Sequence, residues 1–283
     1  MKIIECPRDA MQGLQEFVPT ELKVRYINEL LKVGFDTIDF GSFVSPKAIP
    51  QLKDTAEVLS HLDLEQTKSK LLAIVANARG AHNACLHNQI SYLGFPLSLS
   101  ETFQQRNTNK SIAEAFEELN IIQDLCHDHN KTLVTYLSMG FGNPYGDPYE
   151  IPYVSDFISK LKAMDVQIIS LADTIGVSNP KNITALFTGI THEFSGVEFG
   201  VHLHSDLDTA LEKIDAAYKA GCRRFDGAIN GFGGCPMAED KLVGNIATET
   251  ILSYFQHHHI PIEYNQKAFQ TALNIAPEVF LGR

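Results

Sequence analysis

The sequence lacks several features that mark common classes of protein. It contains no CxxC pair, no apolar stretch long enough to span a bilayer and no excess of basic residues. Its five cysteines are scattered, which is typical of reduced thiols rather than of a disulfide framework. Lys and Arg number 23 against 34 Asp and Glu, which gives a net charge of −11. Such acidity argues against binding to nucleic acid or to anionic membranes, because both select basic surfaces.

The amino terminus also lacks the pattern of a secretory signal. Met1 leads directly into the apolar run Lys2-Ile3-Ile4, without a charged region followed by a longer apolar one. Together with the dispersed cysteines, this start predicts a cytoplasmic protein. No Pro/Gly-rich linker and no change of composition divides the 283 residues, so we expect one domain spanning residues 1–283.

Strand-like and helix-like segments alternate along the whole chain. Short runs rich in β-branched residues are separated by amphipathic runs such as Thr20–Val33, which is followed by Gly34 as a helix-ending residue. Eight strand–helix units predict a single (β/α)₈ TIM barrel, with an extra C-terminal helix after about Pro261. A doubly wound open sheet is the alternative, although no GxGxxG follows an early strand. The predicted strands are Lys2–Cys6, Thr37–Phe43, Leu71–Ala76, Gln89–Phe95, Thr132–Leu137, Gln167–Ala172, Glu198–His204 and Arg223–Ile229.

Polar side chains stand at the ends of most of the predicted strands. In a barrel of this kind the functional groups lie at the carboxyl ends of the strands, so these positions are the candidates for a site. They are Arg8 and Asp9 after strand one, Asp39 and Ser42 in strand two, Tyr136 and Ser138 at the end of strand five, Asp173 and Thr174 directly after strand six, His202 and His204 in strand seven, and Asn230 with Cys235 after strand eight.

Three of these candidates, together with Asn245, predict a divalent-metal site. His202 and His204 are two residues apart, so on a strand both imidazoles point to the same side. With Asp9 and Asn245 they offer a mixed nitrogen and oxygen set that suits Mg²⁺ or Mn²⁺. Two alternatives stay open: a pair of unrelated polar core histidines, or a zinc site that recruits Cys235.

Two further residues predict chemistry beside the metal. Arg8 adjoins Asp9, and its fixed charged fork suits an oxyanion or enolate, although a salt bridge closing the barrel mouth is the alternative. Cys235 follows Gly233 and Gly234, and a thiol on a flexible loop can act as an acid or base or close over a substrate. An inert buried thiol is the alternative there.

The chain resembles the 3-hydroxy-3-methylglutaryl-CoA lyase family of metal-dependent TIM-barrel lyases over essentially its whole length. The Arg-Asp and HxH motifs are shared across the wider superfamily, whereas the SFVSPK and GGCP segments favour the lyase. The matching segments, in order, are Pro7-Arg8-Asp9-Ala10-Met11-Gln12, Ser42-Phe43-Val44-Ser45-Pro46-Lys47, Asp173-Thr174-Ile175-Gly176, His202-Leu203-His204, Gly233-Gly234-Cys235-Pro236 and Gly244-Asn245-Ile246-Ala247-Thr248-Glu249.

The resemblance implies cleavage of 3-hydroxy-3-methylglutaryl-CoA to acetyl-CoA and acetoacetate, with Mg²⁺ or Mn²⁺ as cofactor. It also implies an acyl-CoA partner, a homodimer, and a place in leucine degradation and ketone-body metabolism. The identity of the first general base is left open. The implied residues are Asp9, His202, His204 and Asn245 for the metal; Arg8 for the enolate; His202 and Cys235 for proton transfers; Asp39 and Asp173 as supporting acids; and Arg8, Gln12, Ser42 and Tyr136 for the substrate.

Other functions remain as alternatives. A lyase for a related hydroxyacyl-CoA uses the same metal set, and so does a condensing synthase for a 2-oxo acid. Such synthases carry a long accessory domain, which this chain, ending at Arg283, is not expected to have. A non-catalytic barrel that binds a metal or an acyl-CoA is disfavoured by Arg8 and Cys235, since binding alone needs no thiol on a loop.

Overall fold

A computed structural model describes residues 1–234 and 243–282, and its strands form a closed parallel barrel. Each strand pairs with the next along the chain, and the last pairs with the first. The predicted TIM barrel is confirmed, and the alternative of an open sheet is wrong. The strands are β1 (Lys2–Glu5), β2 (Thr37–Ser42), β3 (Lys70–Ile74), β4 (Ile90–Ser98), β5 (Thr132–Ser138), β6 (Ile168–Ala172), β7 (Glu198–His202) and β8 (Arg224–Gly227).

Helices surround the barrel, and an additional helix follows at the C-terminal end, as predicted. None of the helices in the described ranges is both long enough and apolar enough to cross a membrane. They are α1 (Pro7–Gln12), α2 (Thr20–Val33), α3 (Thr55–Ser60), α4 (Ala78–Cys85), α5 (Glu101–Thr108), α6 (Ile112–Asp128), α7 (Ile151–Ala163), α8 (Pro180–Glu193), α9 (Leu207–Lys219), α10 (Thr248–His257) and α11 (Gln266–Leu281).

The interior of the barrel is filled by side chains, so it is not a channel. Large apolar residues from β3 to β6 pack together there, among them Leu72, Tyr92 and Val134. On the opposite side of the interior Arg224 lies beside Gly200, where a Cβ atom would stand 2.9 Å from the arginine Cδ. A filled interior leaves only the two ends of the barrel for binding, and the polar candidates belong to the carboxyl end.

The C-terminal helix α11 packs against α2 on the outer surface. The buried residues of α2 recur with the helical period, so they form one face of that helix. Tyr26 of α2 packs edge to face against Phe280 of α11, with 5.7 Å between the ring centroids. Phe35 makes a similar contact with Phe269 at 6.2 Å. Aromatic pairs of this geometry add to the free energy gained from area burial. The helix therefore closes the outer layer near the junction of β1 and β2.

The chain leaves the barrel wall earlier at strand seven than predicted. The sequence pattern extends the strand to His204, but β7 ends at His202. Residue 204 instead forms an isolated antiparallel bridge with Asn245, supported by the backbone bond from Ser205 N to Gly244 O at 3.0 Å. At residue 204 the chain therefore pairs with the segment that follows β8, and not with β8 itself. This exchange brings Asn245 to the mouth of the barrel.

A buried carboxyl in β1 gives the first testable prediction. Glu5 is fully buried, and it accepts hydrogen bonds from Ile229 N at 2.9 Å and Thr248 Oγ1 at 2.6 Å. Burial, together with the charge of Glu249, raises the pKa of Glu5 to about 8, although the two hydrogen bonds lower it in part. The folded state therefore holds this proton more tightly than the unfolded state, whose Glu titrates near its ordinary value of 4.5.

The contribution of Glu5 to stability is then fully present below pH 4.5 and is lost as the pH rises through about 8. We expect Glu5→Gln to remove this dependence, because glutamine does not titrate and can still pair with both neighbours, accepting from Ile229 N and donating to Thr248 Oγ1. Urea unfolding from pH 5 to pH 8.5 would measure it. The free energy of unfolding of the wild type should fall relative to that of the variant as the pH rises, and parallel curves would contradict the prediction.

Candidate metal centre

The candidate centre lies at the carboxyl end of the barrel, where β1, β7 and β8 meet. Directly after β1, the short helix α1 starts with Pro7 at a position where a backbone N–H is not needed. It therefore presents Arg8 and Asp9 at the mouth, and both side chains are buried. Across the junction, β7 ends at His202 and continues to His204. The closure of the barrel is what brings these parts together.

Asp9, His202 and His204 converge on one point. One ligand atom from each lies within 4.8 Å of the other two, and all three residues are buried. The two imidazole rings stand 5.3 Å apart between centroids, at 68° to each other. His202 Nε2 lies 3.9 Å from Asp9 Oδ2. The arrangement combines two nitrogen donors with a carboxylate, so these residues fit a divalent cation.

The hydrogen bonding of His204 leaves one ring nitrogen available. Its Nδ1 lies 3.2 Å from the carbonyl oxygen of Thr174, which can only accept, so Nδ1 carries the proton. Its Nε2 is buried and has no hydrogen-bond partner among the described residues. Burial, with the charge of His202, lowers the pKa of His204 to about 4. The imidazole is therefore neutral near pH 7 and offers a lone pair toward Asp9.

His202 is oriented by a carboxylate that the sequence analysis did not single out. Its Nδ1 lies 3.2 Å from Oδ2 of Asp226, which is buried in β8. Burial lowers the pKa of His202, but the Asp226 hydrogen bond and the charge of Asp9 raise it above the ordinary value overall. A carboxylate inside a predicted strand was the available signal, but only the register of β7 with β8 shows that it meets His202.

The carboxylate of Asp9 accepts hydrogen bonds from Arg8, Gln12 and Asn245. Burial raises its pKa, but Arg8, the two histidines and Asn245 lower it below the ordinary value, so Asp9 is ionised. Asn245 Nδ2 donates to Asp9 Oδ2 at 2.8 Å and to the carbonyl of Phe232 at 2.9 Å. Asn245 therefore contacts Asp9 through its amide nitrogen. Its amide oxygen is the atom that would serve as a ligand to a metal ion.

Arg8 forms a dense set of charged contacts at the mouth. Its Nε donates to both carboxylate oxygens of Asp39, at 3.1 and 3.0 Å, and Nη2 adds a third bond to that group. Nη1 donates to Asp9 at 3.0 Å and to Gln12 Oε1 at 2.9 Å. Burial lowers the pKa of Arg8, but Asp39 and Asp9 raise it above the ordinary value. The guanidinium is therefore fixed and charged, and the salt bridge considered from the sequence is present.

Gln12 serves the same cluster from the end of α1. Besides accepting from Arg8, it donates from Nε2 to Asp9 Oδ1 at 3.1 Å. The side chain therefore links the arginine to the carboxylate and keeps both in place. Such a contact supports the centre whether or not Gln12 also reaches a substrate.

The remaining sequence candidates lie around the centre with different partners. Ser42 Oγ donates to the carbonyl of Ile74 at 3.2 Å, at the end of β2. The Tyr136 ring meets His202 edge to face at 6.0 Å, and its hydroxyl is buried without a partner in the described part of the chain. The side chain of Asp173 accepts from Ser178 N at 3.1 Å.

Cys235 lies outside the described residues. The segment that leads to it passes close to the centre, because a Cβ atom on Gly233 would stand 2.8 Å from both Ala10 Cα and Asn245 Nδ2. Gly233 has a φ of +95° and Gly234 a φ of +133°, which are backbone conformations that favour glycine. Gly233 is therefore required by both space and backbone geometry, and Gly234 by backbone geometry.

Comparisons with known proteins agree on one family. A family model described as HMGL-like matches residues 2–275. The hydroxymethylglutaryl-CoA lyase of Bacillus subtilis is 35% identical over 87% of this chain and 81% of its own length. A 3-hydroxy-3-isohexenylglutaryl-CoA/hydroxymethylglutaryl-CoA lyase of Pseudomonas aeruginosa is 31% identical over 89% of this chain and 83% of its own.

A solved structure extends the agreement to three dimensions. The HMG-CoA lyase of Acinetobacter baumannii, in complex with coenzyme A and 3-methylmalate, superposes with a TM-score of 0.91. It is 30% identical in sequence, and the match covers 99% of this chain and 91% of that one. The similarity therefore includes the barrel and its mouth as a whole.

Proposed function

Because the chain belongs to the HMGL-like family, we propose that it is a carbon–carbon lyase that cleaves 3-hydroxy-3-methylglutaryl-CoA to acetyl-CoA and acetoacetate. The observation that carries the proposal is the convergence of Asp9, His202 and His204 beside the fixed guanidinium of Arg8. The same relatives are lyases, so a condensing synthase or a non-catalytic barrel is not favoured. Residues 1–283 would act as one catalytic domain.

The proposed cofactor is Mg²⁺ or Mn²⁺. Asp9, His202 and His204 would hold it, with Asn245 contributing its amide oxygen. When bound, the cation would supply Lewis-acid chemistry for the oxygen atoms of the substrate. The Nε2 of His204, which has no hydrogen-bond partner in the described part of the chain, and the ionised carboxylate of Asp9 support this assignment, because both are buried potential ligand atoms that lie close together.

The reaction requires two proton transfers and one developing negative charge. A base removes the proton of the tertiary hydroxyl, the adjacent C–C bond breaks, and its electron pair passes to the thioester as an enolate. Arg8 would stabilise that enolate, since its charge is fixed and its position is set by Asp39. His202 and Cys235 would take part in the transfers, and protonation of the enolate carbon yields acetyl-CoA.

Other residues would support and shape the site. Asp39 would hold Arg8, and Asp173 would act from behind His204. Gln12, Ser42 and Tyr136 would contact the substrate with Arg8. The complex of the Acinetobacter lyase with coenzyme A supports an acyl-CoA substrate. We also propose a homodimer acting in the cytoplasm, in leucine degradation and ketone-body metabolism, without nucleic-acid or membrane partners.

The decisive experiment is an assay of the purified protein with Mg²⁺ or Mn²⁺ and 3-hydroxy-3-methylglutaryl-CoA, following acetoacetate. A parallel reaction with the isohexenyl analogue tests the second candidate substrate, which the Pseudomonas relative favours. We expect turnover of the methyl substrate, and of the analogue if the mouth admits the longer chain. No turnover of either by metal-loaded protein would refute the lyase assignment.

The contact between His202 and Asp226 gives a further prediction. We expect Asp226→Asn to weaken Mn²⁺ binding by about 10–100-fold, because the carboxylate fixes which nitrogen of His202 carries the proton. Titration calorimetry would measure the affinity. Asp215→Asn is a suitable control, since Asp215 pairs with Lys219 on the outer helix α9. Equal affinity in the wild type and Asp226→Asn would show that Asp226 does not orient the ligand.

A further inference from the structure

A buried lysine lies directly behind the metal ligands. Lys213 belongs to α9, yet it is only 3% exposed, whereas Lys219 on the same helix has a side chain that is 70% exposed. Its Nζ donates to the backbone carbonyl of His204 at 2.8 Å. A buried ammonium group is costly unless it is paired, so its retention here calls for a specific reason.

The counter-charge of this lysine comes from the neighbouring loop. Lys213 Nζ lies 3.3 Å from Oδ2 of Asp173, at the end of β6. Asp173 also accepts from the backbone N of Ser178 at 3.1 Å and from its hydroxyl. The carboxylate is therefore fully engaged by groups of its own loop and by the lysine. Through these contacts the side chain of Asp173 stabilises the β6–α8 loop.

Lys213 thus contacts two loops, one of which carries the donor and the other the acceptor of a single hydrogen bond. The β7–α9 loop carries His204, and Lys213 donates a hydrogen bond to the main-chain carbonyl of that residue. The β6–α8 loop carries Thr174, next to Asp173, and the Thr174 carbonyl accepts from His204 Nδ1 at 3.2 Å. A shift of either loop would rotate the imidazole and turn Nε2 away from Asp9.

We propose that Lys213 is a positioning residue of the metal centre, which holds the main chain of His204 against the loop that begins at Asp173. The inference rests on the metal site of the proposed function. An apolar residue of similar length would fill the same space, but it would tie neither loop. The charge is therefore retained for geometry rather than for packing.

The test is the Mn²⁺ affinity of Lys213→Met, measured by titration calorimetry with the full chain. We expect a loss of about 10–100-fold, the usual range for removing a group that orients a metal ligand. Lys219→Met is the matched control, because it removes an exposed lysine of the same helix that pairs with the half-buried Asp215. The control should bind Mn²⁺ as the wild type does.

A double variant separates positioning from stability. Lys213→Met leaves Asp173 buried without its counter-charge, so the melting temperature should fall. Adding Asp173→Asn removes that charge, and we expect the melting temperature to recover while Mn²⁺ affinity stays low. The double variant also supplies the affinity measurement if the single variant does not fold.

The outcomes distinguish the two proposals. Wild-type affinity in Lys213→Met, or in the double variant, overturns the positioning role and leaves the metal site intact. Recovery of affinity together with the melting temperature in the double variant also overturns it, because the effect would then be one of stability. Failure of the wild type to bind Mn²⁺ overturns the metal site and, with it, the role of Lys213.

Discussion

Replacing Arg8 with Met is expected to lower kcat for cleavage of 3-hydroxy-3-methylglutaryl-CoA by about 10²–10³-fold, the usual cost of losing one group that stabilises an oxyanion. The guanidinium is held by Asp39, Asp9 and Gln12, so it needs no reorganisation when the enolate forms. A side chain of similar length without charge offers nothing to that enolate. Steady-state kinetics at saturating Mn²⁺ would measure the effect.

Arg8→Lys is the matched control for charge. Lysine keeps the positive charge but cannot form the forked contact with both oxygens of Asp39. We expect it to recover part of the lost kcat. Mn²⁺ affinity should be measured in both variants, because Arg8 also touches Asp9. Full activity in Arg8→Met would refute the catalytic role, even if the lyase assignment stood.

Replacing His204 with Ala is expected to have the second large effect, a loss of Mn²⁺ affinity of more than about 100-fold. The estimate exceeds the range for groups that only orient a ligand, because the variant removes a donor atom itself. The neutral imidazole presents a buried Nε2 that no other described residue satisfies. Electron paramagnetic resonance of added Mn²⁺ would report the fraction bound.

The matched control for this variant is His192→Ala, at the exposed end of α8. Circular dichroism should show that both variants keep the barrel. Activity of His204→Ala should fall in parallel with metal occupancy and recover in part at high Mn²⁺. If His204→Ala bound Mn²⁺ as tightly as His192→Ala, His204 would not be a ligand.

The architecture of the barrel could be predicted from the sequence because it depends on local patterns of apolar and polar residues. Apolar runs of strand length alternate with amphipathic runs such as Thr20–Val33, and these periods persist through the chain. The positions of Asp9, His202 and His204 at one end followed from the same reasoning. Each of these inferences needs only the spacing of neighbouring residues and the general geometry of parallel barrels.

The residues that contact the candidate metal ligands from behind could not be predicted, because these contacts depend on how segments distant in sequence pack together. Asp226 meets His202 only through the pairing of β7 with β8. Lys213 was one polar residue among several on an amphipathic helix, and its burial follows from how α9 packs over two loops. Asp173 was expected among the acids of the site, but its nearest groups are those of Ser178 and Lys213.

The closure of β1 on β8 has a consequence for the order in which the protein is made. Asp9 and Asn245 touch, although 236 positions separate them in the chain. During synthesis, Asp9 leaves the ribosome long before the partner that orients it, and contacts of such sequence separation form late and slowly. The nascent chain therefore has no assembled centre until the segment that carries Asn245 has been made and has paired with residue 204.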